Sequence, residues 1–240
     1  MRAALAFAFV SACAFEIHDV VPDPTGATAS VGGGGTGGTA QGGCGGDGCQ
    51  FPQICWLTDD FDDGRVETFW NAFAGAACSA TETGGALLVQ PAPNQPDAVY
   101  CGYVTEDEYD MRCGEISVRV EPLTATGAET LLSLTAGPEV IKLNVIDGYL
   151  HVATKDVMNV HQTPYQETQH RYWRVRERMG TLTFETSGDG MGWMMFYEMP
   201  VPATAEMDKV VVTLSAGTFQ NQVPTPGEAR FDCFNVPSCP

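Results

Sequence analysis

The feature that most constrains the fold of this chain is a strict alternation of apolar and polar residues in many short segments. The alternation is clear in residues 116–120, 141–145, 181–186, 210–214 and 229–233. A period of two places successive side chains on opposite faces of a strand, so each segment predicts a half-buried β-strand. No segment shows a long apolar repeat at the 3.6-residue spacing of a helix.

Short turn sequences separate these segments. Asp147-Gly148, Met179-Gly180, 188–190 and Ala216-Gly217 each combine glycine with a residue that tolerates a tight turn. About ten to twelve short strands joined by such turns predict an all-β fold, a two-sheet antiparallel β-sandwich or jelly roll.

The N-terminus has the pattern of a secretion signal. A charged start precedes a short apolar stretch over 3–10, which is shorter than the roughly 20 residues that span a bilayer. The run Val10-Ser11-Ala12-Cys13 resembles a bacterial lipobox, in which Cys13 is acylated and becomes the new N-terminus. Two alternatives remain open: cleavage after Ala14 by an ordinary signal peptidase, or a misassigned start codon with Cys13 an accident of an Ala-rich segment.

The rest of the chain divides into two parts. Residues 14–48 contain a glycine-rich segment that cannot bury a core and predicts a flexible tether. Residues 49–240 have the composition of a folded domain. With 1–13 as a signal peptide carrying a lipobox, we expect a domain held by lipid at the bacterial outer membrane, or alternatively a secreted protein.

Cysteine usage agrees with export. Without Cys13, eight of the nine cysteines remain, and an even number in an exported chain predicts disulfides. Eight cysteines allow 105 pairings. We expect Cys44–Cys49, Cys78–Cys101, Cys113–Cys233 and Cys55–Cys239.

Charge excludes some partners. The net charge of -18 repels nucleic acid phosphates and anionic membrane surfaces, so membrane contact is expected only through the lipid anchor. We expect a monomer.

Several stretches resemble one superfamily, the concanavalin A-like (laminin G-like) lectin/glucanase jelly roll. They are 59–64 followed by Trp70, 172–177, 182–187 followed by Asp189-Gly190 and Trp193, and 227–232. They look like the first strand and turn, the central hairpin and the last strand of that fold. The resemblance covers roughly residues 56–236 and implies the jelly roll, but this fold hosts lectins, hydrolases, adhesins and structural modules alike.

The resemblance also implies what an enzyme of this superfamily would carry. Its glucanases have an E-x-D-x-(x)-E motif, whose alternation points two or three carboxylates into a cleft. The closest match is 106–110, which lacks flanking apolar alternation and predicts a solvated loop. We therefore expect no catalytic activity.

An acidic turn offers the hard oxygen ligands that calcium prefers. Asp60, Asp62 and Asp63 precede Gly64, and the resemblance adds Asp232 on the last strand. The same turn is equally compatible with an acidic, solvated loop.

A ligand surface is expected on the strand that follows Arg171. Alternation puts Tyr172, Arg174 and Arg176 on one face, with Glu185 on the partner strand. Arg119 and His151 are expected on the same surface, which would suit a carbohydrate, particularly an acidic one. The alternative is a salt-bridged strand face without a ligand.

These observations favour a non-catalytic cell-surface lipoprotein whose lectin-like domain binds carbohydrate or cell-envelope polysaccharide. A structural or adhesive envelope protein with no small ligand is the second interpretation, and a glycoside hydrolase is the third.

Overall fold

Each alternating segment of the sequence lies in a β-strand. The computed structural model of the protein describes residues 53–112 and 114–236. Helix in these residues is confined to a 3₁₀ turn at Ile54–Trp56 and the short helix α1 at Glu167–His170. The strands are β1 (Trp70–Phe73), β2 (Cys78–Glu82), β3 (Leu87–Pro91), β4 (Val99–Thr105), β5 (Glu115–Glu121), β6 (Ala128–Ala136), β7 (Glu139–Ile146), β8 (Tyr149–Thr154), β9 (His161–Pro164), β10 (Tyr172–Arg178), β11 (Thr181–Ser187), β12 (Met194–Pro200), β13 (Val210–Thr218) and β14 (Ala229–Asp232).

The strands form two seven-stranded sheets that pack face to face. Sheet I has the order β1-β4-β13-β6-β7-β8-β9, and sheet II has the order β12-β11-β10-β5-β14-β3-β2. The strands within each sheet pair in antiparallel fashion, which confirms the predicted all-β sandwich. The predicted central hairpin is β10–β11, and its turn lies at Met179-Gly180.

The core lies between the two sheets and is built by the alternation. Trp173 and Phe184 of sheet II, and Leu143 and Leu214 of sheet I, are fully buried. Along each of these strands, the residues immediately before and after the buried one point away from the core, because successive side chains of a strand alternate between its two faces. The outward faces of the two sheets are therefore separate surfaces.

Asp59 connects the segment before β1 to the segment that follows β14. Its backbone pairs with Phe234 in a single antiparallel bridge, so the first and last parts of the fold do meet. Its side chain accepts hydrogen bonds from the Phe61 backbone N–H (2.8 Å) and from Trp70 Nε1 (3.0 Å). Burial raises the pKa of this carboxyl to about 7, against the effect of the two hydrogen bonds.

One predicted turn is wrong. Ala216-Gly217 lies inside β13, where Gly217 is opposite Tyr100 on β4. A Cβ at Gly217 would lie 2.1 Å from the Val99 carbonyl oxygen and 2.7 Å from Tyr100 Cδ1. Glycine is needed here because the β4 backbone and the Tyr100 ring lie close to this position. Glycine is also common in turns, which is why the sequence suggested a turn.

The predicted Cys78–Cys101 disulfide is confirmed, and it joins β2 of sheet II to β4 of sheet I. Cys55 and Cys233 are also disulfide-bonded. Their predicted partners, Cys239 and Cys113, lie outside the described residues, so both pairings stay predictions. The Cys44–Cys49 disulfide, the lipobox with Cys13 and the tether also lie outside the described residues. Among the described residues, no helix is long and apolar enough to cross a membrane.

Candidate active site

The outward face of sheet I carries polar side chains in two adjacent rows. Backbone pairing defines the rows, because partner residues on neighbouring strands point to the same side. We call this surface the Glu129 face; its first row is Tyr100, Gly217, Glu129, Ile146 and Tyr149, and its second row is Gly102, Ser215, Leu131, Asn144 and His151.

Glu129 is the charged centre of this face. Its side chain is 6% exposed although it points away from the core. The Tyr100 hydroxyl donates to Oε2 at 2.8 Å, and the Asn144 amide donates to Oε1. The two donors come from different strands and fix the orientation of the carboxylate. Burial, together with the negative charge of Glu129, raises the pKa of Tyr100, so the phenol stays protonated and can donate.

The contact between Tyr100 and Glu129 spans three neighbouring strands and depends on one glycine. Tyr100 lies on β4 and Glu129 on β6, with β13 between them. The Tyr100 ring crosses β13 over Gly217, which is opposite both residues in the register. A side chain at 217 would occupy the space of the ring, so the Tyr100–Glu129 hydrogen bond depends on glycine at this position.

His151 is the titratable neighbour of this centre. It is opposite Asn144 in the β7–β8 pairing. Burial lowers the pKa of the imidazole, while the negative charges of Glu129 and of Asp147, in the β7–β8 turn, act in the opposite direction. The imidazole is therefore neutral near pH 7 and has carboxylates nearby that would stabilise its protonated form.

The predicted ligand surface is divided between the two sheets. Tyr172, Arg174, Arg176, Glu185 and Arg119 share the outward face of sheet II, as expected. His151 belongs to sheet I, so its predicted place beside them is wrong. The two sheets face opposite directions, and strand alternation alone does not say which sheet a strand joins.

On sheet II the arginines are paired. Arg174 Nε and Arg176 Nε lie 2.7 and 2.8 Å from Glu185 Oε2, and Arg119 NH1 lies 3.3 Å from Asp232 Oδ2. The Arg174 guanidinium also lies 4.2 Å from the centre of the Trp193 ring. This is the salt-bridged strand face of the alternative interpretation.

The residues predicted to bind calcium do not form a complete cation site. Among the described residues, no group of three or more His, Cys, Asp or Glu side chains is placed to hold a metal ion. Arg119 pairs with Asp232, and its positive charge opposes a cation there. Asp60 raises the pKa of Asp62, so these two carboxylates are close to each other. Calcium binding stays a prediction.

The predicted solvated loop at 106–110 is only partly exposed. Glu106, Asp107 and Glu108 are exposed, whereas Tyr109 and Asp110 are buried. Asp110 is fully buried and pairs with Arg112 at 2.7 Å, which lowers the pKa of Asp110. This segment lies outside the Glu129 face.

Glu129, Tyr100 and Asn144 are site residues that were not predicted from the sequence. One signal was present: Glu129 is the lone charged residue in the apolar segment 128–136, at a position that alternation turns outward. The partners carry no such signal. They are 29 and 15 residues away in sequence, and only the strand order brings them to Glu129.

Neither a protein-family model nor a curated protein matches this sequence. Solved structures do match the fold. An endo-β-1,3-glucanase from Pyrococcus furiosus matches with a TM-score of 0.56 at 10% identity, covering 78% of this chain and 94% of that chain. The catalytic domain of a laminarinase from Thermotoga petrophila matches with a TM-score of 0.55 at 10% identity, covering 77% and 96%. A β-1,3-1,4-glucanase from a mouse hindgut metagenome matches with a TM-score of 0.52 at 11% identity, covering 74% and 96%.

These structures confirm the predicted concanavalin A-like jelly-roll fold. They also contradict the prediction of a non-catalytic, lectin-like module, because the matching proteins are named as glucanases. The prediction rested on the poor match of 106–110 to a motif that lies along one strand. Such a comparison gives no information about groups that different strands bring together.

Proposed function

We propose that this protein is a glycoside hydrolase that acts on a polysaccharide at the Glu129 face. The observation that carries the proposal is the Glu129 carboxylate, which is buried on an outward sheet face and held by donors from two other strands. A fold match to endo-glucanases supports the substrate class. An extended sheet face also suits a polymeric substrate.

Glu129 faces the positive charge that forms on the sugar. Glycoside hydrolysis passes through an oxocarbenium-like transition state, which a fixed carboxylate stabilises. Tyr100 and Asn144 hold the carboxylate in one orientation, so little reorganisation is needed as the charge develops. Asn144 Oδ1 is buried and accepts no hydrogen bond among the described residues, so the amide serves the site through the bond that it donates to Glu129.

His151 is the proton carrier in this scheme. The glycosidic C–O bond breaks, and the oxygen of a water molecule bonds to the anomeric carbon. The imidazolium form of His151 gives its proton to the oxygen of the leaving sugar as the C–O bond breaks. The resulting neutral imidazole then takes a proton from the attacking water, which occupies the place that the leaving sugar has vacated. Glu129 and Asp147 stabilise the imidazolium at the start and the end of this cycle.

This arrangement differs from the glucanase motif because it lacks two carboxylates on one strand. The outward positions of β6 are Glu129, Leu131, Ser133 and Thr135, and those of β7 include Lys142, Asn144 and Ile146. Neither strand has two carboxylates at alternating positions. In the proposed scheme the second titratable group is therefore His151 on β8.

The direct test is Glu129→Gln, assayed by the release of reducing ends. The substrates are laminarin, lichenan, and the carboxymethylated and sulfated forms of laminarin. We expect the wild-type protein to hydrolyse these substrates and Glu129→Gln to be at least about 100-fold slower. Glutamine keeps the shape of the side chain but lacks the charge that stabilises the transition state.

Glu106→Gln is the matched control, because Glu106 is exposed and follows the end of β4, six residues beyond Tyr100. It should hydrolyse these substrates like the wild type. The absence of reducing ends from all four substrates, or equal activity of Glu129→Gln and the wild type, would contradict the proposal.

We also propose that the protein is anchored by lipid at Cys13 on the outer membrane, with secretion as the alternative. The lipobox and the glycine-rich tether support this location. Wild-type protein should partition into a detergent phase, and Cys13→Ala should move it to the aqueous phase. Equal partitioning of the two proteins would rule out the anchor.

A further inference from the structure

Lys142 is the unusual cation of this structure. Most basic residues of the described part form ion pairs with carboxylates. Four basic residues form no ion pair within the described part of the chain: Arg65, Lys142, Lys155 and Arg178. Three of these are exposed to water, and Lys142 alone is half-buried.

The neighbours of Lys142 offer no negative charge. Its partner on β6 is Ser133, and its partner on β8 is Ala153, both of which are buried. Lys142 is half-buried as a residue, and within the described part of the chain its ammonium has no carboxylate that would neutralise its charge. Acidic residues are numerous in the described ranges, yet none of them forms an ion pair with Lys142.

Lys142 belongs to the same surface as the candidate active site. Ile141 and Leu143 point into the core, so Lys142 points outward with Asn144, two residues further along β7. Glu129 is opposite Ile146, four residues from Lys142. At a strand rise of about 3.3 Å per residue, the two positions are roughly 13 Å apart along the strand. A polymer bound across Glu129 and Asn144 would therefore reach Lys142 with a sugar beyond the one at the scissile bond.

We propose that the polysaccharide substrate carries anionic substituents and that Lys142 binds one of them on the Glu129 face. This inference rests on the proposed hydrolase function and names its substrate class. A carboxylate or a sulfate group supplies the charge that the ammonium lacks in the protein. The net charge of -18 repels a polyanion at long range, but screening at 0.15 M salt acts beyond about 8 Å and leaves the local pair intact.

The test measures binding to three forms of one backbone: laminarin, carboxymethylated laminarin and laminarin sulfate. The full-length protein is compared with Lys142→Met by calorimetry in 0.15 M salt. We expect Lys142→Met to weaken binding of at least one anionic form tenfold or more and to change laminarin binding less than twofold. The anionic form that responds identifies the substituent as carboxylate or sulfate.

Two variants serve as controls. Lys142→Arg keeps the charge and should bind the anionic form within about threefold of the wild type. Lys155→Met removes an exposed lysine that hydrogen-bonds the Pro138 carbonyl oxygen and should have no effect. Unchanged binding of both anionic forms by Lys142→Met, or no binding of either form by the wild type, would overturn the inference.

Hydrolysis is recorded separately with Glu129→Gln. If Lys142→Met weakens anionic binding while no substrate is cleaved, the inference stands as a binding property and the hydrolase proposal fails. If Glu129→Gln abolishes cleavage while Lys142→Met binds all forms like the wild type, the hydrolase proposal stands and the inference fails.

Discussion

Gly217→Ala is expected to destabilise the protein by about 3 kcal/mol or more. The new methyl group would lie 2.1 Å from the Val99 carbonyl oxygen and 2.7 Å from Tyr100 Cδ1. The carbonyl belongs to the strand that pairs with β13, so relief requires β4 and β13 to separate locally. The Tyr100 ring must also move away from Glu129, and loss of the Tyr100–Glu129 hydrogen bond should lower hydrolysis in the folded fraction.

The measurement is urea unfolding followed by circular dichroism, with the activity of folded protein assayed in parallel. Gly75→Ala is the control, because a Cβ there has no atom within 4 Å. It should unfold within about 0.5 kcal/mol of the wild type. A Gly217→Ala variant as stable and as active as Gly75→Ala would mean that the Tyr100 ring does not lie over Gly217.

The stability of the fold is expected to decrease as pH rises, through Asp59. Burial raises the pKa of this carboxyl from 3.8 to about 7, and the charge of Glu82 acts in the same direction. Between these two values the unfolded chain loses the proton while the folded protein keeps it. The contribution of Asp59 therefore falls as pH rises from about 4 to about 7 and is constant above that. A shift of this size corresponds to roughly 4 kcal/mol.

Asp59→Asn isolates this contribution from that of the other acidic residues. The amide has a similar shape and no charge at any pH, although its NH₂ group can no longer accept the Trp70 N–H bond. The difference in unfolding free energy between variant and wild type should shift in favour of the variant by up to about 4 kcal/mol from pH 4 to pH 8.

Asp97→Asn is the reference, because Asp97 is exposed. Its difference from the wild type should be nearly independent of pH. A difference for Asp59→Asn that is equally flat across the range would show that burial does not shift the titration of Asp59 in the folded protein.

The strands and their buried sides were predictable from the sequence. In 116–120 and 181–186 the alternation correctly turns Ile116, Val118 and Phe184 inward, because a two-residue period is a local property of extended chain. The β10–β11 hairpin was also predictable, since both strands and their turn lie within one short stretch. The expected Cys78–Cys101 pairing is also confirmed, although the cysteine spacing left other pairings open.

The candidate site was not predictable in the same way. Strand alternation assigns each residue to one of two sides but does not say which sheet a strand joins. For that reason His151 was expected beside Arg174, whereas the structure places them on opposite outer surfaces. Gly217 was predicted to lie in a turn. The structure instead requires glycine there because Tyr100, on another strand, packs against this position, and a contact of this kind cannot be seen in the sequence.

The sequence by itself determined that this chain forms amphipathic strands, which side of each is buried, and that two sheets must cover one core. These properties depend on residues close together in the chain. Tertiary structure alone decided that Tyr100, Glu129 and Asn144 meet, and that Lys142 lies on their surface with no ion pair to any carboxylate of residues 53–112 and 114–236. Those contacts depend on the order β4-β13-β6-β7, which long-range pairing and packing select.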